Sequence, residues 1–219
     1  VRPATGAIRV VKPDSIPPLH VVTDDEVVAR PGFLDAARLV FEMGGPDLIF
    51  HLRAPRASGR TLYELARRMR SLAVNEDAWL VVNDRVDVAH AAGVDGAHVG
   101  GRGLAAADAR RLLGADRLLG VSMHSLDEAR DALTGEPDFL LAGTIWESAS
   151  HPGRPGAGVG LIREIAALGV PVIAIGGVTP GRAAEARDAG AAGFAVLRGV
   201  WDAPDPVEAV RNYLSHWMG

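Results

Sequence analysis

Cysteine is absent from the 219 residues, which excludes a disulfide framework, a thiolate nucleophile and thiolate metal sites together, and fits a reducing compartment. Aromatics are sparse at 5%, and no basic run is interleaved with them; with 23 Lys plus Arg against 27 Asp plus Glu, a formal net charge of −4, no nucleic-acid partner is expected. No apolar run approaches the roughly 18 residues of a membrane helix. The stretch 1–18 carries prolines and scattered charge where a signal peptide has an apolar centre. A cytoplasmic protein without membrane contact is the expectation. His-Glu-x-x-His and repeated-Asp patterns are missing as well, so no resident metal is expected from motif alone.

What is present is a rhythm. Short apolar, often β-branched runs at 19–23, 47–53, 78–83, 96–99, 118–122, 138–143, 170–175 and 193–197 alternate with stretches of helical spacing at 31–43, 59–74, 85–92, 105–113, 125–134, 158–168, 180–189 and 205–217. Ser125, Thr179 and Asp205 stand where helix N-caps are needed. Alternation implies a parallel sheet, because parallel neighbours require a crossover connection. Eight repeats of the pair, and Thr23-Asp24-Asp25-Glu26 in place of a Gly-x-Gly-x-x-Gly turn after the first run, favour a compact α/β (β/α)8 TIM barrel over an open doubly wound sheet. One domain is expected over 19–219, preceded by an extended N-terminal arm at 1–18.

In such a barrel, chemistry belongs at the carboxyl ends of the strands. Alternation along the second run sends Leu48, Phe50 and Leu52 to the helices and His51 and Arg53 inward. The same parity in the fifth run turns Val121 and Met123 outward and Ser122 and His124 inward, which makes His124 the expected general acid-base residue. Capping of the following helix is the competing explanation for His124, as it is for Asn83 and Asp84 at the end of the third run. His20 and His98 are each read as a core or rim histidine. The glycines of 174–180 and the segment 196–200 occupy the loops after strands seven and eight, where barrels often hold phosphate. A phosphorylated ligand is therefore expected on the backbone of Gly176, Gly177, Leu197 and Arg198, with Arg198 adding charge if its side chain points inward. The long Gly- and Pro-rich loop 144–158, with Thr144 and Trp146, reads as a lid.

The ordered set 19–24, 51–53, 83–89, 96–100, 120–125 and 174–180 resembles the thiamine phosphate synthase and thiazole tautomerase (TenI-type) superfamily, over residue 19 to the C-terminus. The resemblance implies a small phosphorylated heterocycle as ligand, with Thr144 and His98 joining His51, Arg53 and Asn83 around it, and leaves a homodimer open. Synthases of this kind carry Gln-x-Arg-x-Lys after strand two, and the equivalent positions here are His51, Arg53 and Pro55. They hold magnesium through the aspartate matched by Asp84 and a second aspartate after strand four, where Gly103 stands here. Their Thr- and Lys-bearing sixth loop corresponds to Ser148 to Gly158, which has no lysine. The tautomerase branch carries Ser-x-His-Ser-x-x-Glu-Ala, matched at 122–129, and a Gly-x-Gly-Val stretch matched at 156–159; its motif of Arg followed by Glu is met only in part, because Ala54 follows Arg53.

On this comparison the expected activity is an isomerase: a proton shift on a thiazole carboxylate phosphate, with His124 and Ser122 catalytic and no cofactor. The alternatives are a thiamine phosphate synthase with a degenerate pyrophosphate site, which would use magnesium, and a non-catalytic barrel that binds a phosphorylated metabolite.

Overall fold

A computed structural model describes residues 12, 15–101, 103–148, 153 and 155–219. The apolar runs form β1 (Leu19–Val22), β2 (Leu48–Leu52), β3 (Trp79–Asn83), β4 (Gly96–Val99), β5 (Leu118–Met123), β6 (Phe139–Gly143), β7 (Val172–Ile175) and β8 (Gly193–Val196). All neighbours are parallel, and β1 pairs with β8 in the register Leu19↔Phe194, so the sheet closes into a barrel in sequence order. The fold is an α/β (β/α)8 barrel.

The helices are α1 (Asp25–Val28), α2 (Phe33–Gly44), α3 (Gly59–Asn75), α4 (Val86–Ala92), α5 (Ala106–Leu113), α6 (Leu126–Ala132), α7 (Val159–Ala166), α8 (Pro180–Asp188), α9 (Arg198–Trp201) and α10 (Pro206–Met218). Ser125, Thr179 and Asp205 cap α6, α8 and α10 by accepting from amides two or three residues on. The single turns α1 and α9 were not foreseen, because four residues are too few to show a period. Both stand directly above strand ends, where they matter to the site. Of the stretch 1–18, residues 1–11, 13 and 14 lie outside the described residues; Pro18 O accepts from Phe194 N at 2.8 Å and Ile16 packs on the barrel interior, which covers the amino-terminal end of the strands. Among the described residues no helix is long and apolar enough to cross a membrane.

Strand alternation separates two apolar layers. Leu48, Phe50 and Leu52 of β2 and Val121 and Met123 of β5 join the helices in the larger one. Val22, Ile49, Val81, Leu118, Phe139, Leu141, Ile173 and Ala195 fill the barrel interior. The rest of that interior is polar: His20, His51, Asn83 and His98 are all buried. Burial holds the three imidazoles neutral. It pushes His20 down to about 3, reinforced by the repulsion that a proton on both His20 and His98 would create, and His98 down to about 4, reinforced by the Arg53 guanidinium. His51 is held well below the ordinary range by burial and then by His20 and His98.

Gly120 of β5 lies opposite Phe139 of β6. A Cβ there would run into the Phe139 ring and stand 3.0 Å from His98 Cδ2. Gly120→Ala is expected to cost about 1–3 kcal/mol by overpacking; superimposable urea unfolding curves for variant and parent would show that the interior repacks freely. The neutral histidines set a pH dependence. Below about 6.5 the unfolded chain binds protons that the buried rings refuse, so stability is fully present above that value and falls as pH drops towards about 4, by up to about 1.4 kcal/mol per pH unit for each ring. Urea midpoints measured across that window test this, and a flat profile would contradict neutral burial.

Candidate active site

The parallel barrel delivers the carboxyl ends of all eight strands to one mouth. From the barrel floor to this mouth runs a column of polar side chains. His20 Nε2 lies 3.1 Å from Pro17 O, and His20 Nδ1 lies 2.8 Å from His51 Nε2. Asn83 Nδ2 is 3.0 Å from His98 Nδ1, and His98 Nε2 is 3.0 Å from Ser122 Oγ. Asn83 therefore does not cap α4, whose N-cap is Arg85 and has no side-chain cap bond. Thr23 fastens the tops of β1 and β2: its Oγ1 donates to Arg53 O and accepts from Arg53 N, both at 2.9 Å. The Arg53 guanidinium bears on His98, and among the described residues it has no carboxylate partner.

His124 behaves differently from the expectation that it points into the cavity. The residue is exposed at the rim, its Nδ1 bonded to the Gly143 carbonyl at the end of β6. Its amide donates to Glu128 Oε2 at 2.7 Å while Ser125 Oγ accepts from Glu128 N at 3.2 Å, a reciprocal arrangement that opens α6. The imidazole that reaches Ser122 is His98. Parity misled at this position because β5 ends at Met123, and beyond a strand end alternation no longer dictates direction.

Gly176 and Gly177 form the turn after β7 with φ of +95° and +67°. The turn lies against the start of the sixth loop, since Trp146 N donates to Gly176 O at 3.1 Å and a Cβ on Gly176 would come within 2.5 Å of Thr144 Cγ2. Only glycine combines that φ with that proximity. Leu197 is the N-cap of α9, and the first amides of the turn have no acceptor within it. Two anchors from α9 and α10 hold these loops: Tyr213 Oη donates to Val178 O at 2.9 Å, and Trp201 Nε1 donates to Val22 O at 2.8 Å. The Arg198 side chain does not bring to the glycine turn the free charge expected if it pointed inward. Its Nη2 pairs with Asp24 at 2.7 Å and Glu26 at 2.9 Å, and its Nη1 lies 3.7 Å from Asp202.

Arg182 was missed by sequence reasoning. It donates to Gly177 O at 2.8 Å and places its guanidinium carbon 5.5 Å from the Trp146 ring centroid, so it ties the glycine turn to the sixth loop. Its position in the first turn of α8, beside the glycine turn, was the available signal. Residues 149–152 and 154 of the expected lid lie outside the described residues.

Magnesium, which the resemblance implies for synthases, finds one carboxylate here. Asp84, at φ +62°, accepts from Gly100 N at 3.3 Å. A Cβ on Gly103 would lie 3.4 Å from Asp84 Oδ1, so the second carboxylate is missing at the place that faces the first. Among the described residues no group of three or more His, Asp or Glu side chains is arranged to hold a metal. The donor set does not fit a two-carboxylate magnesium site.

Comparison with known proteins bears on this arrangement. The chain is 44% identical over 154 residues to the thiamine biosynthesis bifunctional protein ThiM/ThiE of Symbiobacterium thermophilum, covering 69% of this chain and spanning only 32% of that relative's length. It is 38% identical over 196 residues to the thiamine-phosphate synthase of Methanoculleus marisnigri, covering 89% of this chain and 92% of the relative. The solved thiamine phosphate pyrophosphorylase of Pyrococcus furiosus superposes with a TM-score of 0.81 at 28% identity, covering 93% of this chain and 96% of that one. These matches overturn the isomerase expectation: relatives aligned over nearly the whole chain carry the synthase name, which is that of a transferase, and none of these three carries a tautomerase name. The Ser-x-His-Ser-x-x-Glu-Ala element that suggested the tautomerase branch is, in the structure, largely a helix start. The model of the family described as thiamine monophosphate synthase matches residues 19–200, and the chain belongs to that family.

Proposed function

We propose that the protein is a thiamine-phosphate synthase, joining a thiazole phosphate to hydroxymethylpyrimidine pyrophosphate. In this reaction the thiazole nitrogen forms a bond to the pyrimidine methylene carbon, the carbon–oxygen bond to the leaving group breaks, and its electron pair departs with inorganic pyrophosphate. The observation that carries the reading is that Arg53, Asn83 and Ser122 stand at the carboxyl ends of β2, β3 and β5, the end of the barrel that also holds the Gly176–Gly177 turn, in a chain aligned over nearly its whole length with synthases.

Each group has a role consistent with its surroundings. The backbone of Gly176, Gly177, Leu197 and Arg198 suits the thiazole phosphate, because exposed amides in a glycine turn and at a helix start bind anions without a counter-charge of their own. Arg53 suits the anionic leaving group, since its guanidinium is not neutralised by a carboxylate among the described residues. Thr144 and the start of the sixth loop cover the turn and shield the site from water. His51, Asn83 and His98 lie beneath the site, and Ser122 offers the heterocycle a hydroxyl. A cytoplasmic location belongs to the same proposal, supported by the lack of cysteine.

Purified protein supplied with both substrates should release pyrophosphate and form thiamine phosphate in equal amounts; the absence of both products with folded protein would reject the reading. Arg53→Ala should lower kcat/KM about a hundredfold, in line with the removal of one charged group from a developing anion, and Arg53→Lys should recover part of it. Gly103→Asp supplies the carboxylate that faces Asp84 and should make turnover rise about tenfold more with added magnesium than in the parent, read from initial rates against magnesium concentration.

A further inference from the structure

With Asn83 Nδ2 turned towards His98 the buried column holds two unpaired atoms, and resolving them fixes what Ser122 offers a ligand. A carbonyl oxygen only accepts, so His20 Nε2, facing Pro17 O at 3.1 Å, must carry the hydrogen. In a neutral ring that leaves His20 Nδ1 bare, and His51 Nε2, 2.8 Å away, must donate to it. His51 Nδ1 is then a bare acceptor. Both this nitrogen and Asn83 Oδ1 are buried without a hydrogen-bond partner, and the Asn83 side chain bears on the His51 ring. Two buried lone-pair atoms are thus left unsatisfied on side chains that bear on one another, which is costly for both.

We infer that the Asn83 amide is turned by half a rotation, so that Nδ2 donates to His51 Nδ1 and Oδ1 accepts from His98 Nδ1. A buried amide takes the orientation that its network satisfies, and this one gives both orphans a partner at once. The consequence travels upward. His98 then carries its hydrogen on Nδ1, its Nε2 is bare, and Ser122 Oγ, 3.0 Å away, must donate its own hydrogen downward. Every donor from Ser122 to Pro17 O points the same way, towards the barrel floor. Burial and the Arg53 charge keep His98 neutral, which a single-tautomer chain requires.

Ser122 has one hydrogen, and the chain uses it. What it presents at the mouth is lone pairs, so the ligand group it recognises is an N–H or O–H donor, such as an amino group on the heterocycle. In the opposite amide orientation His98 Nε2–H would donate to Ser122, freeing the hydroxyl hydrogen to meet a ligand acceptor. His51 and His20 act as positioning residues: without touching the ligand, they decide which polarity Ser122 shows. The ligand side of this assignment rests on the synthase reading, whereas the direction of the chain does not.

Long-range 1H–15N correlation on histidine-labelled protein reads the tautomers directly. Protonation of His98 on Nδ1 and of His20 and His51 on Nε2 is expected; protonation of His98 on Nε2 would overturn the inference from the parent protein alone. His51→Phe keeps a ring and removes the acceptor, and should let His98 populate both tautomers and raise the KM for the pyrimidine substrate about tenfold, one hydrogen bond's worth, with kcat less affected. Ser122→Ala should leave His98 on Nδ1. A folded His51→Phe variant with an unchanged His98 tautomer would also refute it. If the tautomers are as expected and no condensation occurs, the chain stands and the synthase reading falls.

Discussion

A closed ring of eight parallel strands leaves an inward-facing polar side chain no partner except another one, and the interior of this barrel is organised by that requirement. Five polar residues from five strands, His20, His51, Asn83, His98 and Ser122, enter the barrel interior, and they satisfy one another in a chain that ends on a floor carbonyl. Apolar neighbours shape the space they occupy. Phe139 packs edge-on to His20 at 5.0 Å between centroids and parallel to His98 at 6.4 Å. The glycine at 120 is what admits that ring. Packing and hydrogen bonding are therefore coupled here.

The charges at the mouth are sorted by the same geometry. Asp24, Glu26 and Asp202 rise from the ends of β1 and β8 and surround Arg198, so that side chain ties two loops together instead of serving a ligand. Arg30 extends the network through Asp202 at 2.5 Å. Arg53, two strand tops away, meets no such carboxylate among the described residues, and its charge bears on neutral His98. A cation held beside neutral, preorganised dipoles is what a developing anion exploits, because little reorganisation is needed when the charge appears.

The segment after β7 depends on support from far along the chain. Its turn needs glycine at positive φ, but its placement comes from Arg182 on Gly177 O, Tyr213 on Val178 O and Trp201 on Val22 O. Those anchors lie on α8, α9 and α10, so the last quarter of the sequence braces the top of the barrel. The sixth loop joins them by ladder-like bonds from Ile145 and Trp146 to the end of β7 and the glycine turn.

The strands, the long helices and their caps were legible from the sequence because each is specified locally: a β-branched run with period two, an amphipathic stretch, and a Ser, Thr or Asp at the start. Inward placement of His51 and Ser122 was legible for the same reason, since parity within a strand is a property of the backbone. Parity stops at the strand end, which is why His124 was expected inward and stands at the rim instead; the tautomerase reading built on it did not survive comparison with synthases. Nor does local pattern say which carboxylates will surround Arg198, since they stand 174 and 172 residues away in the chain at Asp24 and Glu26. By itself the sequence determined the (β/α)8 repeat and the strand ends on which chemistry would sit. Only the pairing of strands in the tertiary structure decided that His20, a histidine with no motif around it, would meet His51 and begin the column beneath Ser122, because hydrogen bonding between strands joins residues by register and not by proximity along the chain.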